Sequence, residues 1–327
     1  MKVMTNLANE YRRFGLKEIY YHVMAKVFNS EIQMTNMLIE RQKRYSKMDE
    51  EQLEGEISRI YYLKIGKNVN FSNPKAFTEK IQWLKMHDNS PSKKELSDKY
   101  LVRSWVTEKI GKKYLVPIYG IWDSYDDIDF SSLPRRFVLK CNHGSGMNII
   151  VEDKNRINHN RVKKVMDCWM KRPYESSSLE LQYEGIKRKI IAEEYLDSDD
   201  RGLFDYKFHC FNGTPMFIQC IGDRNLKRHI GKQNNYSLNW EKLEWTFEDY
   251  PAFSREIKKP NKMEEMIHIA SILSQNYKYV RVDLYENNNE VYFGEMTFTP
   301  GSGLYPYRNS WSIEKDNELG ELIDINR

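Results

Sequence analysis

Val280-Arg-Val-Asp-Leu-Tyr285, a polar Glu286-Asn-Asn-Asn-Glu290 turn and Val291-Tyr-Phe-Gly-Glu-Met-Thr-Phe-Thr-Pro-Gly-Ser-Gly303 make up the stretch on which the reading of the fold turns. Two apolar runs flank three asparagines, which is the pattern of two adjacent strands joined by a turn. Strand residues two apart share a face, so Arg281 points with Asp283, and Glu295 points with Thr297. Carboxylates on neighbouring strands can converge on one hard cation. Magnesium favours that arrangement, taking a few carboxylates and completing its shell with nucleotide phosphate and water. An adjacent arginine would then face the phosphates. The same stretch also fits a hairpin with a solvated polar face.

The chain of 327 residues is long enough for two or three subdomains with a sizeable shared core. Its 30% of charged residues and mean hydropathy of -0.74 describe a soluble protein, and no run approaches the ~20 apolar residues of a membrane span. Met1-Lys-Val-Met-Thr-Asn-Leu-Ala-Asn-Glu10 lacks the charged-then-apolar pattern of a signal peptide, so the expected location is the cytoplasm. Cys141, Cys168, Cys210 and Cys220 have no CxxC spacing and read as ordinary thiols. The net charge of +4, from 51 basic and 47 acidic residues, is too small to imply nucleic acid and is compatible with an anionic substrate. The seven histidines form no HExxH, which argues against zinc, and Gly144-Ser145-Gly146 is not the GxSxG nucleophile elbow.

Residues 1–65 read as a helical extension in which Ile19, Tyr20, Val23, Met24, Val27 and Phe28 recur at helical spacing between Lys17 and Lys26. Such a stripe commonly packs against the body of the protein. A basic amphipathic helix can also lie on an anionic membrane surface, so peripheral membrane contact is a second expectation. Residues 66–135 form a second division, with a helix expected after the proline of Asn73-Pro-Lys-Ala-Phe-Thr-Glu-Lys-Ile-Gln-Trp-Leu-Lys85 and another around Lys99. Residues 136–327 form the third. Short strands alternating with helices favour an α+β or α/β layered architecture.

Phe137-Val-Leu-Lys-Cys-Asn-His-Gly-Ser-Gly-Met-Asn-Ile-Ile-Val151 reads as strand, glycine-bearing loop, strand. Gly144, Ser145 and Gly146 let backbone N–H groups approach phosphate oxygens, and Lys140 supplies a point charge. The pattern is neither GxxxxGK[ST] nor GxGxxG, and it also fits a hairpin turn without a ligand. Ile190-Ile-Ala-Glu-Glu-Tyr-Leu196 is an apolar strand ending in Glu193 and Glu194, followed by the strand Asp205-Tyr-Lys-Phe-His-Cys-Phe211. Such a connector can meet an adenine edge, or its acids can simply form salt bridges.

Taken in order, Asp98-Lys99, Phe137-Val-Leu-Lys140 with its HGSG loop, Ala192-Glu-Glu-Tyr-Leu196, Asp205-Tyr-Lys207, Val280-Arg-Val-Asp283 and Gly294-Glu-Met-Thr297 resemble the ATP-grasp superfamily. They resemble more closely its TupA-like branch, named for teichuronopeptide synthesis and found among bacterial surface-polysaccharide proteins. The resemblance runs from about Asn73 to Asn309, and NPKAFTEKIQWLK, FVLKCNHGSG and IIAEEYL are its most specific phrases.

The resemblance implies an α+β ATP-grasp fold that holds a nucleotide between two α+β lobes, with ATP and Mg2+ as cofactors. It assigns Lys99 and Lys140 to the α- and β-phosphates, and His143, Gly144, Ser145 and Gly146 to a loop over them. Glu193, with Glu194, Tyr195 and Leu196, would meet adenine, and Asp205 the ribose. Asp283 and Glu295 would bind magnesium, Thr297 standing where many such enzymes carry asparagine as a third ligand. Arg281 and Lys207 would neutralise the γ-phosphoryl charge, and Thr299-Pro-Gly-Ser-Gly303 would hold the acceptor. The implied activity joins a carboxylate, such as a uronic acid of a glycan, to an amino acid through an acylphosphate. Open alternatives are a phosphotransferase acting on a sugar hydroxyl, a glycosyltransferase with Asp197-Ser-Asp199 as its nearest metal motif, and an inactive nucleotide-binding scaffold.

Overall fold

The computed structural model describes residues 17–18, 20–26, 30–197, 202–225, 230–247, 250–308 and 310–326. In chain order its helices are α1 (Glu31–Tyr45), α2 (Glu50–Ile65), α3 (Phe77–His87), α4 (Pro91–Ser97), α5 (Val102–Lys109), α6 (His159–Lys171), α7 (Met263–Leu273) and α8 (Ile313–Glu321). Its strands are β1 (Ile118–Trp122), β2 (Phe137–Cys141), β3 (Asn148–Val151), β4 (Ile190–Glu194), β5 (Asp205–Phe211), β6 (Thr214–Asn225), β7 (Ile230–Ser237), β8 (Tyr279–Asn287) and β9 (Glu290–Thr297). The pairings within both sheets are antiparallel, and the α+β expectation holds.

Contacts divide the chain into one unit of residues up to Ile57 with Ile118–Tyr195, and a second of Ser58–Pro117 with Leu196–Arg327. The contiguous divisions expected at 1–65, 66–135 and 136–327 therefore do not follow the contacts. Strand pairing is the reason: Trp122 of β1 sits opposite Ile190 of β4, which draws 118–122 away from the helices that precede it.

In the first unit the strand order is β1-β4-β2-β3. Phe137, Leu139 and Cys141 alternate inward along β2, onto Met166 and Trp169 of α6, while Val138 and Lys140 are only partly buried. This alternation is what a half-buried strand requires. Residues 20–26 are helical, and just before them the buried Glu18 pairs with Arg41 (2.8 Å) and Arg44 (3.3 Å) of α1. The segment thus contacts α1, which belongs to the same expected extension. Tyr20 and Val23 of the expected stripe are exposed, and Ile19, Val27 and Phe28 lie outside the described residues. No described helix is long and apolar enough to cross a membrane.

In the second unit the order is β7-β6-β5-β8-β9. Asn288 and Asn289 make the β8–β9 turn with positive φ (52° and 63°), the backbone that two-residue hairpins favour. One sheet face is apolar, with Phe208, Ile218, Val282 and Leu284 packed with Met266, Ile269 and Leu273 of α7. The other face is polar: Asn235, Gln219, Lys207, Asp283 and Glu295 stand opposite one another in a line across all five strands.

The proline-led motif around Asn73–Lys85 caps and docks α3. Glu79 Oε2 accepts the N–H groups of Lys75 (2.9 Å) and Ala76 (3.2 Å), satisfying donors that open the helix. Thr78 donates its N–H (2.9 Å) and hydroxyl (2.6 Å) to the Asp316 carboxylate of α8. α8 comes so close that a Cβ on Gly320 would lie 2.0 Å from the Lys75 carbonyl oxygen. Gly320→Ala is therefore expected to destabilise the protein by about 1–3 kcal/mol, the cost of overpacking against a backbone that cannot move aside. Thermal denaturation checks this, and an unchanged melting temperature would show that α8 does not hold this position.

Candidate functional site

The polar line on the second unit's sheet is the centre of a network of paired charges. Lys207 lies between Asp205 (2.7 Å) and Asp283, with which it also pairs. Arg281 grips Asp283 with two nitrogens (Nε to Oδ1 2.6 Å, Nη2 to Oδ2 2.7 Å) and also reaches Glu295 (3.4 Å) and the Thr297 hydroxyl (3.1 Å). Lys99 pairs with Glu295 at 3.2 Å and Arg224 with Asp205 at 3.0 Å. Asp205, Lys207, Arg281 and Asp283 are all buried. Such charges persist in an interior only when paired and hydrogen-bonded.

Local backbone features set this arrangement. The β8–β9 register shifts between Asp283 and Leu284, leaving Gly294 as an extra residue that keeps Glu295 opposite Asp283. A Cβ on Gly294 would meet the Tyr285 ring at 2.9 Å and the Asp283 carbonyl oxygen at 3.0 Å. Lys99 is carried on a turn in which Asp98 Oδ1 accepts the N–H groups of Tyr100 (2.8 Å) and Leu101 (3.2 Å).

Burial alone would raise the Glu295 carboxyl, but Lys99, Lys207 and Arg281 outweigh it and hold the group well below the usual carboxylate range. Burial likewise opposes ionisation of Asp205, and Lys207 and Arg224 prevail. The side chains that the sequence places on one face do converge, as the strand argument requires. What neutralises them is the chain's own lysines and arginines.

Lys99, Lys207, Arg224 and Arg281 number four cations against the three carboxylates Asp205, Asp283 and Glu295, an excess that favours an anion. Among the described residues, Asp205 Oδ1 is buried without a hydrogen-bond partner. Among them too, no set of three or more His, Cys, Asp or Glu side chains is arranged to hold a metal ion. The donors nevertheless suit magnesium in kind: hard oxygens on Asp283 and Glu295, a hydroxyl on Thr297, and few of them, the remainder of the shell being phosphate and water. An ion there would have to share those oxygens with Lys207 and Arg281.

The remaining candidates lie mostly in the first unit. Lys140 pairs with Glu193, and the two sit diagonally across β2 and β4. Glu194 and Tyr195 are half-buried, and the Arg136 guanidinium lies 4.1 Å from the centre of the Tyr195 ring. Leu196, half-buried, begins the second unit. In the glycine loop, Gly146 has the left-handed backbone (φ 74°), while Gly144 is pressed against the Tyr174 ring, where a Cβ would lie at 2.6 Å. Ser145 is exposed. His143 turns inward, its Nε2 hydrogen-bonded to the Trp169 carbonyl oxygen at 3.1 Å. Ser198 and Asp199 of the weak metal motif lie outside the described residues.

The loop after β9 is strongly left-handed, with φ of 53°, 57° and 63° at Gly301, Ser302 and Gly303. Gln82 Nε2 donates to the carbonyls of Ser302 and Gly303 (both 3.0 Å), and Lys85 donates to Ser302 Oγ (2.7 Å). Sequence reasoning missed these anchors, whose only signal is that they sit one helical turn apart on α3. It also missed Arg224. The β6–β7 register irregularity between Gly222 and Asn225 makes that side chain's direction unreadable from alternation.

The sequence model of a family described as TupA-like ATPgrasp matches residues 79–324. A search of curated proteins finds no match. Among solved structures, D-alanine–D-alanine ligase from Bacillus anthracis, complexed with ATP, is 15% identical, with 69% of this chain and 61% of that one covered and a TM-score of 0.40. The L-amino acid ligase from Bacillus licheniformis is 13% identical, with 79% and 57% covered and a TM-score of 0.42. N5-carboxyaminoimidazole ribonucleotide synthetase from Thermus thermophilus is 12% identical, with 66% and 46% covered and a TM-score of 0.35. The match spans about six tenths or less of these proteins' own length.

Asp283→Asn leaves Arg281 and Lys207 buried with their shared counter-charge gone, so a loss of about 3–5 kcal/mol is expected in denaturant titration. Unchanged stability would mean that the network does not hold the sheet face. The Glu295 shift fixes the sign of a pH effect. A carboxyl depressed on folding stabilises above its ordinary value of about 4.3, and that stability is lost as pH falls below it. Melting temperature should therefore drop as pH falls below about 4, and Glu295→Gln should flatten that slope while lowering stability at neutral pH. An identical slope in the variant would contradict the assignment.

Proposed function

Because the chain belongs to the TupA-like ATP-grasp family, we propose that it is an ADP-forming carboxylate–amine ligase of surface-polysaccharide biosynthesis. It joins the carboxylate of an anionic glycan, a uronic acid, to an amino acid. The observation that carries this reading is the paired network of four cations and three carboxylates at one sheet face, with Asp205, Lys207, Arg281 and Asp283 buried, within a chain matched by that family over residues 79–324.

Enzymes of this fold use ATP with Mg2+: ATP supplies the phosphoryl group that activates the carboxylate, and the ion offsets phosphate charge. Lys140 and Lys99 would each offer a cation to the α- and β-phosphates, and Lys140 would give up Glu193 to do so. Backbone N–H groups at Gly144, Ser145 and Gly146 would donate to phosphate oxygens. His143 holds that loop from below through the Trp169 carbonyl. Glu193, Glu194, Tyr195 and Leu196 frame the adenine, and Asp205 takes the ribose. Asp283, Glu295 and Thr297 would hold Mg2+, which would offset phosphate charge, while Arg281 and Lys207 would face the transferred phosphoryl group. A carboxylate oxygen attacks the γ-phosphorus and ADP leaves. The amine then attacks the acyl carbon, and phosphate departs as the amine loses a proton. N–H groups of the left-handed loop at 300–303, fixed by Gln82 and Lys85, orient the acceptor carboxylate and steady the oxyanion. The cytoplasm, where ATP is made, is the place for such a reaction, and peripheral contact with a membrane-borne glycan is compatible with it.

Lys140→Ala should weaken ATP binding by about 1.5–3 kcal/mol, the worth of a hydrogen bond to a charged group, in calorimetry. ADP release should require a carboxylate and an amine together, and product mass should show their condensation. A neutral sugar that alone sustains ADP formation and gains a phosphate would replace the ligase reading with a kinase.

A further inference from the structure

The first unit contains a cavity of about 380 Å³ whose lining includes Gln42, His143, Glu175, Tyr183, Ile186 and Arg188, within the size range of small-molecule sites. Its chemistry is unusual for an unfilled packing gap because an acid and a base face the same space without pairing. Glu175 is only 9% exposed and accepts a hydrogen bond from the Gln42 amide (2.7 Å). Arg188 donates to the Met170 carbonyl oxygen (3.0 Å), and among the described residues it forms no ion pair. The two are close enough for the Arg188 charge to act on Glu175, yet burial prevails and raises the Glu175 carboxyl.

A simple anion in this cavity would meet Glu175, and a simple cation would meet Arg188. A molecule carrying both charges would satisfy both. We propose that the cavity binds a free α-amino acid, its ammonium on Glu175, its carboxylate on the Arg188 fork and its side chain along Ile186 and Tyr183. Guanidinium matches a carboxylate with two parallel hydrogen bonds, and an ammonium beside a buried acid restores the charge that burial disfavours. His143 belongs both to the cavity wall and to the loop leading to Gly144, so the cavity adjoins that loop. Binding here needs no ATP and is therefore independent of the ligase reading.

Calorimetry on the full chain without ATP tests it, using L-alanine and L-glutamate beside propionate and ethylamine, which each keep one of the two charges. The expected result is one-to-one binding of an amino acid and none of propionate or ethylamine. Glu175→Gln and Arg188→Gln should each weaken amino-acid binding at least roughly tenfold, or more than about 1.4 kcal/mol, with ATP affinity and far-ultraviolet circular dichroism unchanged. Failure of both amino acids to bind, equal binding of the single-charge analogues, or full affinity in both variants would overturn the proposal. Should either variant fail to fold, the comparison of analogues on the unaltered chain decides alone.

Discussion

Arg281 and Lys207 close on a single buried carboxylate, Asp283, at the centre of a five-stranded sheet. Neither the charges nor the carboxylate can stand alone at that depth, since an unpaired ion in a low-dielectric interior costs several kcal/mol. The register of β5, β8 and β9 is bound to this requirement. A slip of one residue would turn Lys207, Asp283 and Glu295 into the apolar core under α7 and bring Phe208, Val282 and Met296 to the polar face. Gly294 serves the same constraint, because the extra residue is accommodated there without a side chain striking Tyr285.

Around that face, α3 acts as an anchor with two ends. Its first turn is fixed by Glu79 and by the Thr78–Asp316 bonds to α8. Its later turns send Gln82 and Lys85 into the left-handed loop after β9. A non-glycine residue, Ser302, is held at φ 57° there, a conformation that needs surrounding support. The hydrogen bonds from α3 supply it, so the loop that follows Glu295 and Thr297 keeps its shape because a helix far back in the chain holds it.

Much of this arrangement is legible in the sequence, for reasons of periodicity. Two-residue alternation in Val280–Tyr285 and Val291–Thr297 tells which side chains share a face, and three asparagines mark the turn between them. The strand–loop–strand pattern around Lys140 is equally plain. What alternation cannot give is long-range pairing, so the division of the chain into two discontinuous units follows only once β1 is seen beside β4. It also cannot say where a loop side chain turns: His143 goes to a helix carbonyl, and Gly144 is a glycine because Tyr174 occupies its space. Two acids on one face suggest a metal, and alternation already sets Arg281 beside Asp283, yet sequence pattern does not reveal that Lys99 and Arg224 converge from other elements to help balance them.

That balance is the physical basis of the functional account, in which a slightly cationic face meets phosphate and an activated carboxylate. The most direct measurement of the chemistry follows one oxygen atom. A uronic acid bearing heavy oxygen in its carboxylate is incubated with the protein, ATP, Mg2+ and an amino acid, and the released phosphate is weighed by mass spectrometry. The account requires one heavy oxygen to pass from the carboxylate to phosphate as the amide forms. Turnover that releases only unlabelled phosphate, or that leaves the label wholly in the sugar, would contradict it.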